Sequence, residues 1–301
     1  MLPQLGDDLY LTDGGMETWL IYDAGLELPQ FASFPLLDSV EGLAALRAYY
    51  APYVELAREN DVGLVLDAPT WRASRHWGEL LGYGPAQLAD VNRRGVAFVD
   101  ELRRESDGVD IVVGGCVGPS DDAYTPSEQL SVDAAYAYHQ PQIESFADTP
   151  ADFVNALTLT YSAEALGIAR AANDAGLPVA LSFTVETDGR LPGGERLADA
   201  IATVDAGADV AYYMVNCAHP THFADILDGP WCERVVGVRA NASAKSHAQL
   251  DEAEELDAGD PLELAGHYPR LRDRLPNLRV AGGCCGTDER HIAAIYTALR
   301  D

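Results

Sequence analysis

Lysine is almost absent from this 301-residue chain: Lys245 is the only one, and 20 Lys and Arg together face 48 Asp and Glu, for a formal net charge of −28. A surface so short of positive charge repels phosphate backbones and anionic lipid, because binding to either rests on Lys and Arg neutralising negative charge. Neither nucleic acid nor a membrane surface is an expected partner. Long apolar runs are missing as well. None approaches the roughly 18 to 20 residues that span a bilayer, and the opening MLPQLGDDLYLTDGG has neither the basic region nor the apolar stretch of a secretory signal. A cytoplasmic location is therefore expected. Cysteine is scarce, five in the whole chain; an odd and sparse set argues against a disulfide framework and for reduced thiols. Also missing are a three-glycine dinucleotide loop after the first strand-like run and any Walker-type lysine motif.

What is present is a regular alternation. Hydrophobic residues make up 48% of the chain, enough for a large core. Short apolar runs at 9–13, 63–68, 110–115, 152–157, 178–184, 210–216, 234–240 and 278–283 read as eight strands. Between them lie segments such as SVEGLAALRAYYAPYVELAREN and SAEALGIARAANDAG, with apolar residues every three or four positions. Eight strand–helix units in about 300 residues fit an α/β fold of the (β/α)8 TIM-barrel kind, which typically takes roughly 250 residues plus insertions. The expected organisation is one barrel domain over 1–301, with insertions at CVGPSDDAYTPSEQ and at 241–261. A doubly wound open sheet is the alternative.

Barrel active sites are built at the carboxyl ends of the strands, and that rule sorts the cysteines. Cys217 closes strand six and the adjacent pair Cys284 and Cys285 closes strand eight. Neighbouring cysteines rarely bridge each other, because the small ring distorts the peptide between them. Three thiols at one rim instead form a soft tridentate site suited to zinc, with one tetrahedral position open for a substrate. Gly282, Gly283 and Gly286 are expected to permit the sharp bend this requires. Cys116 and Cys232 are expected to be structural.

DGGMET after strand one, GGCVGP after strand three, SFT in strand five, NC after strand six and GGCCGT after strand eight, in that order, resemble the homocysteine S-methyltransferase family over roughly residues 10 to 300. The resemblance implies a zinc barrel that methylates homocysteine to methionine from a donor such as S-methylmethionine, S-adenosylmethionine or betaine, with Cys217, Cys284 and Cys285 as zinc ligands. It also implies that Asp13 meets the amino group of the acceptor. In one place the chain departs from the family pattern: Leu157 stands where family members generally carry a glutamate at the end of strand four. Asp67, at the end of strand two, is the acidic residue expected to compensate.

The remaining candidates follow from their places on the rim. Gly14 and Gly15 are expected to let backbone amides approach a substrate carboxylate, and Asn216 to tune a metal-bound thiolate by a hydrogen bond. Asn241 and Ser243 sit at the same mouth, while Trp71 or Trp77 is placed to stack on a cationic donor. His219 and His222 read as loop or first-turn residues. The expected activity is zinc-dependent transfer of a methyl group from a sulfonium or ammonium donor to a small-molecule thiol, homocysteine first. The alternatives are a different thiol acceptor, a non-catalytic zinc-binding barrel, and a metal-dependent hydrolase, whose usual His and Asp ligands the three-thiol set does not match.

Overall fold

In the computed structural model, which describes residues 2–124, 127, 129–253 and 255–300, every one of the eight apolar runs forms a strand. They are β1 (Tyr10–Thr12), β2 (Gly63–Asp67), β3 (Ile111–Val117), β4 (Phe153–Leu159), β5 (Val179–Phe183), β6 (Tyr212–Asn216), β7 (Val235–Ala240) and β8 (Val280–Gly283). All neighbours are parallel and in chain order, and the sheet closes on itself where Tyr10 pairs with Val280 and Leu11 with Ala281. The fold is a (β/α)8 barrel.

Strands in such a sheet are covered on both faces, so they read as apolar runs without a polar side. Alternate residues divide the core in two. Val65, Val112, Phe153, Tyr212, Met214 and Val280 fill the inside of the barrel. Leu64, Leu66, Val113, Val154, Leu181 and Val238 face outward under the helices. Two of the long helices start at a serine cap. Ser39 accepts from the Gly42 amide at 2.9 Å ahead of the helix Val40–Asn60, and Asp61 ends that helix in the left-handed region. Ser131 does the same for the helix Val132–Ala147.

Strand boundaries follow the sequence to within one or two residues; at their carboxyl ends β3 and β4 run two residues further, to Val117 and Leu159. In β4 the pairing with β5 slips between Ala156 and Leu159, and Thr158 takes φ 64°. A β-branched residue in the left-handed region is costly and persists only where its surroundings hold it. Here the Thr158 amide donates to Asn216 Oδ1 at 2.9 Å, and Asn216 Nδ2 donates to Thr158 Oγ1 at 2.8 Å. The bulge turns Leu157 to the wall of the mouth, where it lines a cavity.

The two long connections, after β3 and after β7, both fold over that mouth. The first brings Asp122, Ala123 and Tyr124 to the cavity; its residues 125, 126 and 128 lie outside the described part. The second carries the short helix His247–Asp251 and brings Ser243, Leu250 and residues 255–257. Among the described residues no helix is long and apolar enough to cross a membrane.

Candidate active site at the barrel mouth

A cavity of about 400 Å³ opens at the carboxyl ends of the strands, and the three expected thiols lie on its wall. The Sγ atoms of Cys217, Cys284 and Cys285 are all within 4.8 Å of one another, with Cys217 and Cys285 3.6 Å apart. The loops that carry them are tightly held. Cys217 takes φ 56°, and its carbonyl accepts from Asn241 Nδ2 at 3.0 Å and Thr184 Oγ1 at 3.2 Å, with His247 Nε2 2.9 Å away. The Cys284 amide donates to Ala240 O at 2.8 Å, and the Thr287 hydroxyl donates to Cys284 O at 2.7 Å. Of the three glycines around the pair, only Gly286 uses the left-handed region, at φ 79°. Gly282 and Gly283 serve close approach instead, since a Cβ there would meet the hydroxyls of Thr12 and Thr287 at 1.9 and 2.0 Å.

Three thiols this close cannot all ionise alone. Hydrogen bonds from Cys217 and Cys285 push Cys284 well below the ordinary thiol value, helped by Arg239 and by Asn216, whose Nδ2 lies 3.7 Å from Cys284 Sγ. The same sharing pushes Cys217 well above it. A divalent ion bound among the three sulfurs would supply the charge that lets all of them ionise. The donor set fits a metal such as zinc. All five cysteines are free thiols, Cys116 and Cys232 being buried, although Cys116 also lines the cavity.

Asp13 and Asp67 reach the cavity wall as expected, but their carboxylates are already engaged. Arg239, on β7, points between them, with Nη2 on Asp13 and Nη1 2.6 Å from Asp67 Oδ2. Asn155 Nδ2 donates to both oxygens of Asp67 at 2.9 and 3.0 Å, and the Tyr49 hydroxyl donates to Asp13 Oδ2 at 3.0 Å. All of these groups are buried. Burial pushes Asp13 up to about 7, against the pull of Arg239. Burial also raises Asp67, while the two carboxylates together keep Arg239 firmly protonated. Asp67 is thus tied into the barrel interior and is not an open partner for an ammonium group on the rim.

Other expected residues take clear places. The Gly15 amide donates to Thr287 O at 3.0 Å and is spoken for, while Gly14 packs against Thr287 and Tyr53. Asn241 holds the Cys217 loop from behind and does not line the cavity; Ser243 does line it and donates to Asp257 at 2.8 Å. Trp71 faces the cavity with its Nε1 3.3 Å from Leu157 O, yet the cation stacked on it is the chain's own Arg72. That guanidinium lies 5.0 Å from the Trp71 ring and 3.9 Å from Trp77. His219 caps the short helix Pro220–Phe223, and burial lowers its pKa to about 4.

Four site residues escaped the sequence reading. Arg239 was legible in principle, as a charge inside a barrel strand. Tyr124, whose hydroxyl lies 3.0 Å from Cys217 Sγ and whose ring stacks on His247 at 4.1 Å, sits in a loop with no motif. His247 has no sequence signal either. Glu17 follows the DGG turn and lines the cavity. Its Oε1 accepts from Ser33 at 2.8 Å, its own backbone amide also donates to the carboxylate, and burial raises its pKa.

The sequence profile of homocysteine S-methyltransferases matches residues 10–299. The homocysteine S-methyltransferase of Escherichia coli (strain K12) is 26% identical over 199 residues, 62% of this chain and 62% of that protein. Betaine–homocysteine S-methyltransferase 1 of Rattus norvegicus is 26% identical over 250 residues, 78% of this chain and 60% of that protein. The matched stretches thus span under two thirds of either relative. Among solved structures, the oxidised form of the Escherichia coli homocysteine methyltransferase MmuM superposes with a TM-score of 0.78 at 22% identity, covering 97% of this chain and 96% of that one. Its metallated form gives 0.77. At that identity the superposition speaks to the fold, and the profile match over nearly the whole chain carries the assignment: the protein belongs to the homocysteine S-methyltransferase family.

Proposed function

We propose that this barrel transfers a methyl group from a sulfonium or ammonium donor to a thiol, homocysteine first, with Cys217, Cys284 and Cys285 holding zinc. The observation that carries the reading is the convergence of three thiols on the wall of one cavity. Zinc bound there supplies an open position in which an acceptor thiol, ordinarily protonated near neutral pH, is held as a thiolate.

The chain's own residues do the rest. The cavity wall carries Glu17, Asp122, Asp251, Glu255 and Asp257 against the cations Arg72 and Arg239, and the charge of Arg239 is consumed by Asp13 and Asp67. An acidic mouth of this kind raises the local concentration of a cationic donor. The Trp71 wall, Leu157 and the two loops narrow the cavity so that donor and acceptor meet in line, which is where most of the rate is gained when no proton has to move on the methyl carbon. The acceptor sulfur forms a bond to the methyl carbon as the donor's bond to that carbon breaks, and the bonding pair leaves with the donor as a neutral sulfide or amine. Asn216, which reaches Cys284 and braces the Thr158 bulge, keeps the thiol cluster in register with that wall.

An amino-acid acceptor also brings an ammonium group, whose transfer from water is costly without an anionic partner. Leu157 offers none, and Asp13 and Asp67 answer to Arg239. Glu17, with hydrogen-bonding capacity to spare, is the carboxylate placed to receive it. Glu17→Gln is expected to raise the KM for homocysteine by about tenfold or more, the equivalent of ~1.4 kcal/mol and within the range for a charged hydrogen bond. The KM for a thiol without an amino group stays where it was. Asp67→Asn is expected to do the opposite, lowering thermal stability with little change in either KM; a raised homocysteine KM at an unchanged melting temperature would return Asp67 to the substrate.

The reading is tested by zinc-loaded protein in a panel that crosses several thiols with sulfonium, ammonium and folate methyl donors, with product followed by mass spectrometry. Methyl transfer to homocysteine from at least one sulfonium or ammonium donor is the expected result. Turnover confined to thiols without an amino group would reassign the acceptor and explain Leu157. No transfer in any combination, with zinc bound, would leave a non-catalytic metal barrel.

A further inference from the structure

A second group of metal-ligating side chains lies outside the cavity. His219, two residues beyond Cys217, faces Glu263 and His267, and one ligand atom from each of the three lies within 4.8 Å of the others. Glu263 belongs to the helix Pro261–Gly266, and His267 joins it to the next helix, Tyr268–Arg274, so the pair is a Glu-x-x-x-His arrangement on one helical face. From this arrangement we propose that His219, Glu263 and His267 form a second divalent-cation site, suited to zinc, that ties the Cys217 loop to the helices following β7.

The geometry is that of ligands around an ion more than that of a hydrogen-bonded cluster. His267 Nε2 lies 2.9 Å from Glu263 Oε1, which a shared proton would satisfy. His219 Nε2, by contrast, lies 3.6 Å from Glu263 Oε2, too far for a hydrogen bond. Two ligands each about 2.1 Å from a tetrahedral ion stand about 3.4 Å apart, close to that separation. The His219 ring is fixed by Thr221, whose Oγ1 lies 2.8 Å and whose amide lies 3.4 Å from Nδ1, and this leaves Nε2 turned to the carboxylate. The His219 and His267 rings meet edge-on with centroids 5.2 Å apart. His222 stands near, its ring 6.1 Å from that of His219 and its Nε2 3.0 Å from Ala244 O. Two imidazoles and a carboxylate are a recurrent zinc donor set, with water completing the four. Glu263 is exposed and His267 half-buried, so an ion can enter from solvent.

The two sites differ in donor chemistry, which lets one experiment separate them. Untagged full-length protein, stripped by chelator and dialysed against Co2+ under reducing conditions, is expected to retain about two cobalt ions per chain. One gives the intense near-ultraviolet charge-transfer bands of cobalt–thiolate bonding. His267→Ala and Glu263→Ala each lower the content to about one ion while those bands persist, the bands themselves reporting an intact barrel mouth. Cys285→Ser weakens the bands and keeps the second ion. A single cobalt per chain in the parent protein would overturn the proposal, as would two ions that both His267→Ala and Glu263→Ala retain.

Discussion

Serine at Cys284 is expected to lower the rate of thiol methylation by about three orders of magnitude or more, a barrier change of about 4 kcal/mol. Among the three sulfurs Cys284 is the one whose ionised form the surroundings favour most, through the two neighbouring thiols, Arg239 and Asn216. A serine hydroxyl is a hard, weakly acidic donor that neither ionises near neutral pH nor matches a soft cation. Its substitution therefore removes a ligand and opens the site, and the thiol acceptor loses the environment in which it reacts. The fold should survive, since Cys284 is partly exposed and its backbone contacts to Ala240 and Thr287 remain. Methyl transfer by zinc-loaded Cys284→Ser at more than a tenth of the parent rate, with an unchanged circular dichroism spectrum, would contradict the role given to the cluster.

The second large effect is on stability. Arg239→Met keeps much of the side-chain volume and removes the one positive charge shared by Asp13 and Asp67 in the barrel interior. Stripping one partner from a buried charged network costs about 3–5 kcal/mol. The sign of its pH dependence follows from the carboxylates. Already in the parent, burial holds Asp13 up to about 7 and raises Asp67. Without Arg239 both rise further above their unfolded values. A raised folded pKa gives stability that is fully present below the unfolded value and is lost as pH rises through the folded one. The variant should therefore come closest to the parent near pH 5 and fall furthest behind it near pH 8, as urea melts at the two values will show. A deficit that is the same at both, or larger at pH 5, would mean that Asp13 and Asp67 do not titrate in the way the buried triad requires.

The fold was legible because its signal is periodic. Each strand is an apolar run buried on both faces, the long helices between them carry apolar residues every three or four positions, and eight repeats leave little choice of architecture. The three thiols were legible for a different reason: they fall at strand ends, and barrel topology brings strand ends together. What could not be read was how side chains divide a shared charge. Asp13 and Asp67 both stand where a rim carboxylate belongs, and only the inward turn of Arg239 from β7 shows that they share one guanidinium. The bulge at Thr158 is equally hidden, since its left-handed backbone depends on Asn216, 58 residues away along the chain. Trp71 is on the cavity wall as its position suggested, but Arg72, its neighbour in sequence, stacks on it. Glu17 reaches the site from the first turn of the short helix Met16–Tyr22, and Tyr124 from a loop that carries no period at all.

The central claim is that three cysteine sulfurs hold a metal with one position left for a thiol, and X-ray absorption at the zinc edge tests it most directly. The Glu263→Ala protein loaded with one equivalent of zinc keeps a single ion in view. The account predicts about three sulfur scatterers at roughly 2.3 Å with one lighter atom, and about four sulfurs once homocysteine is added. A first shell containing histidine nitrogen, or a sulfur count that homocysteine leaves unchanged, would contradict it.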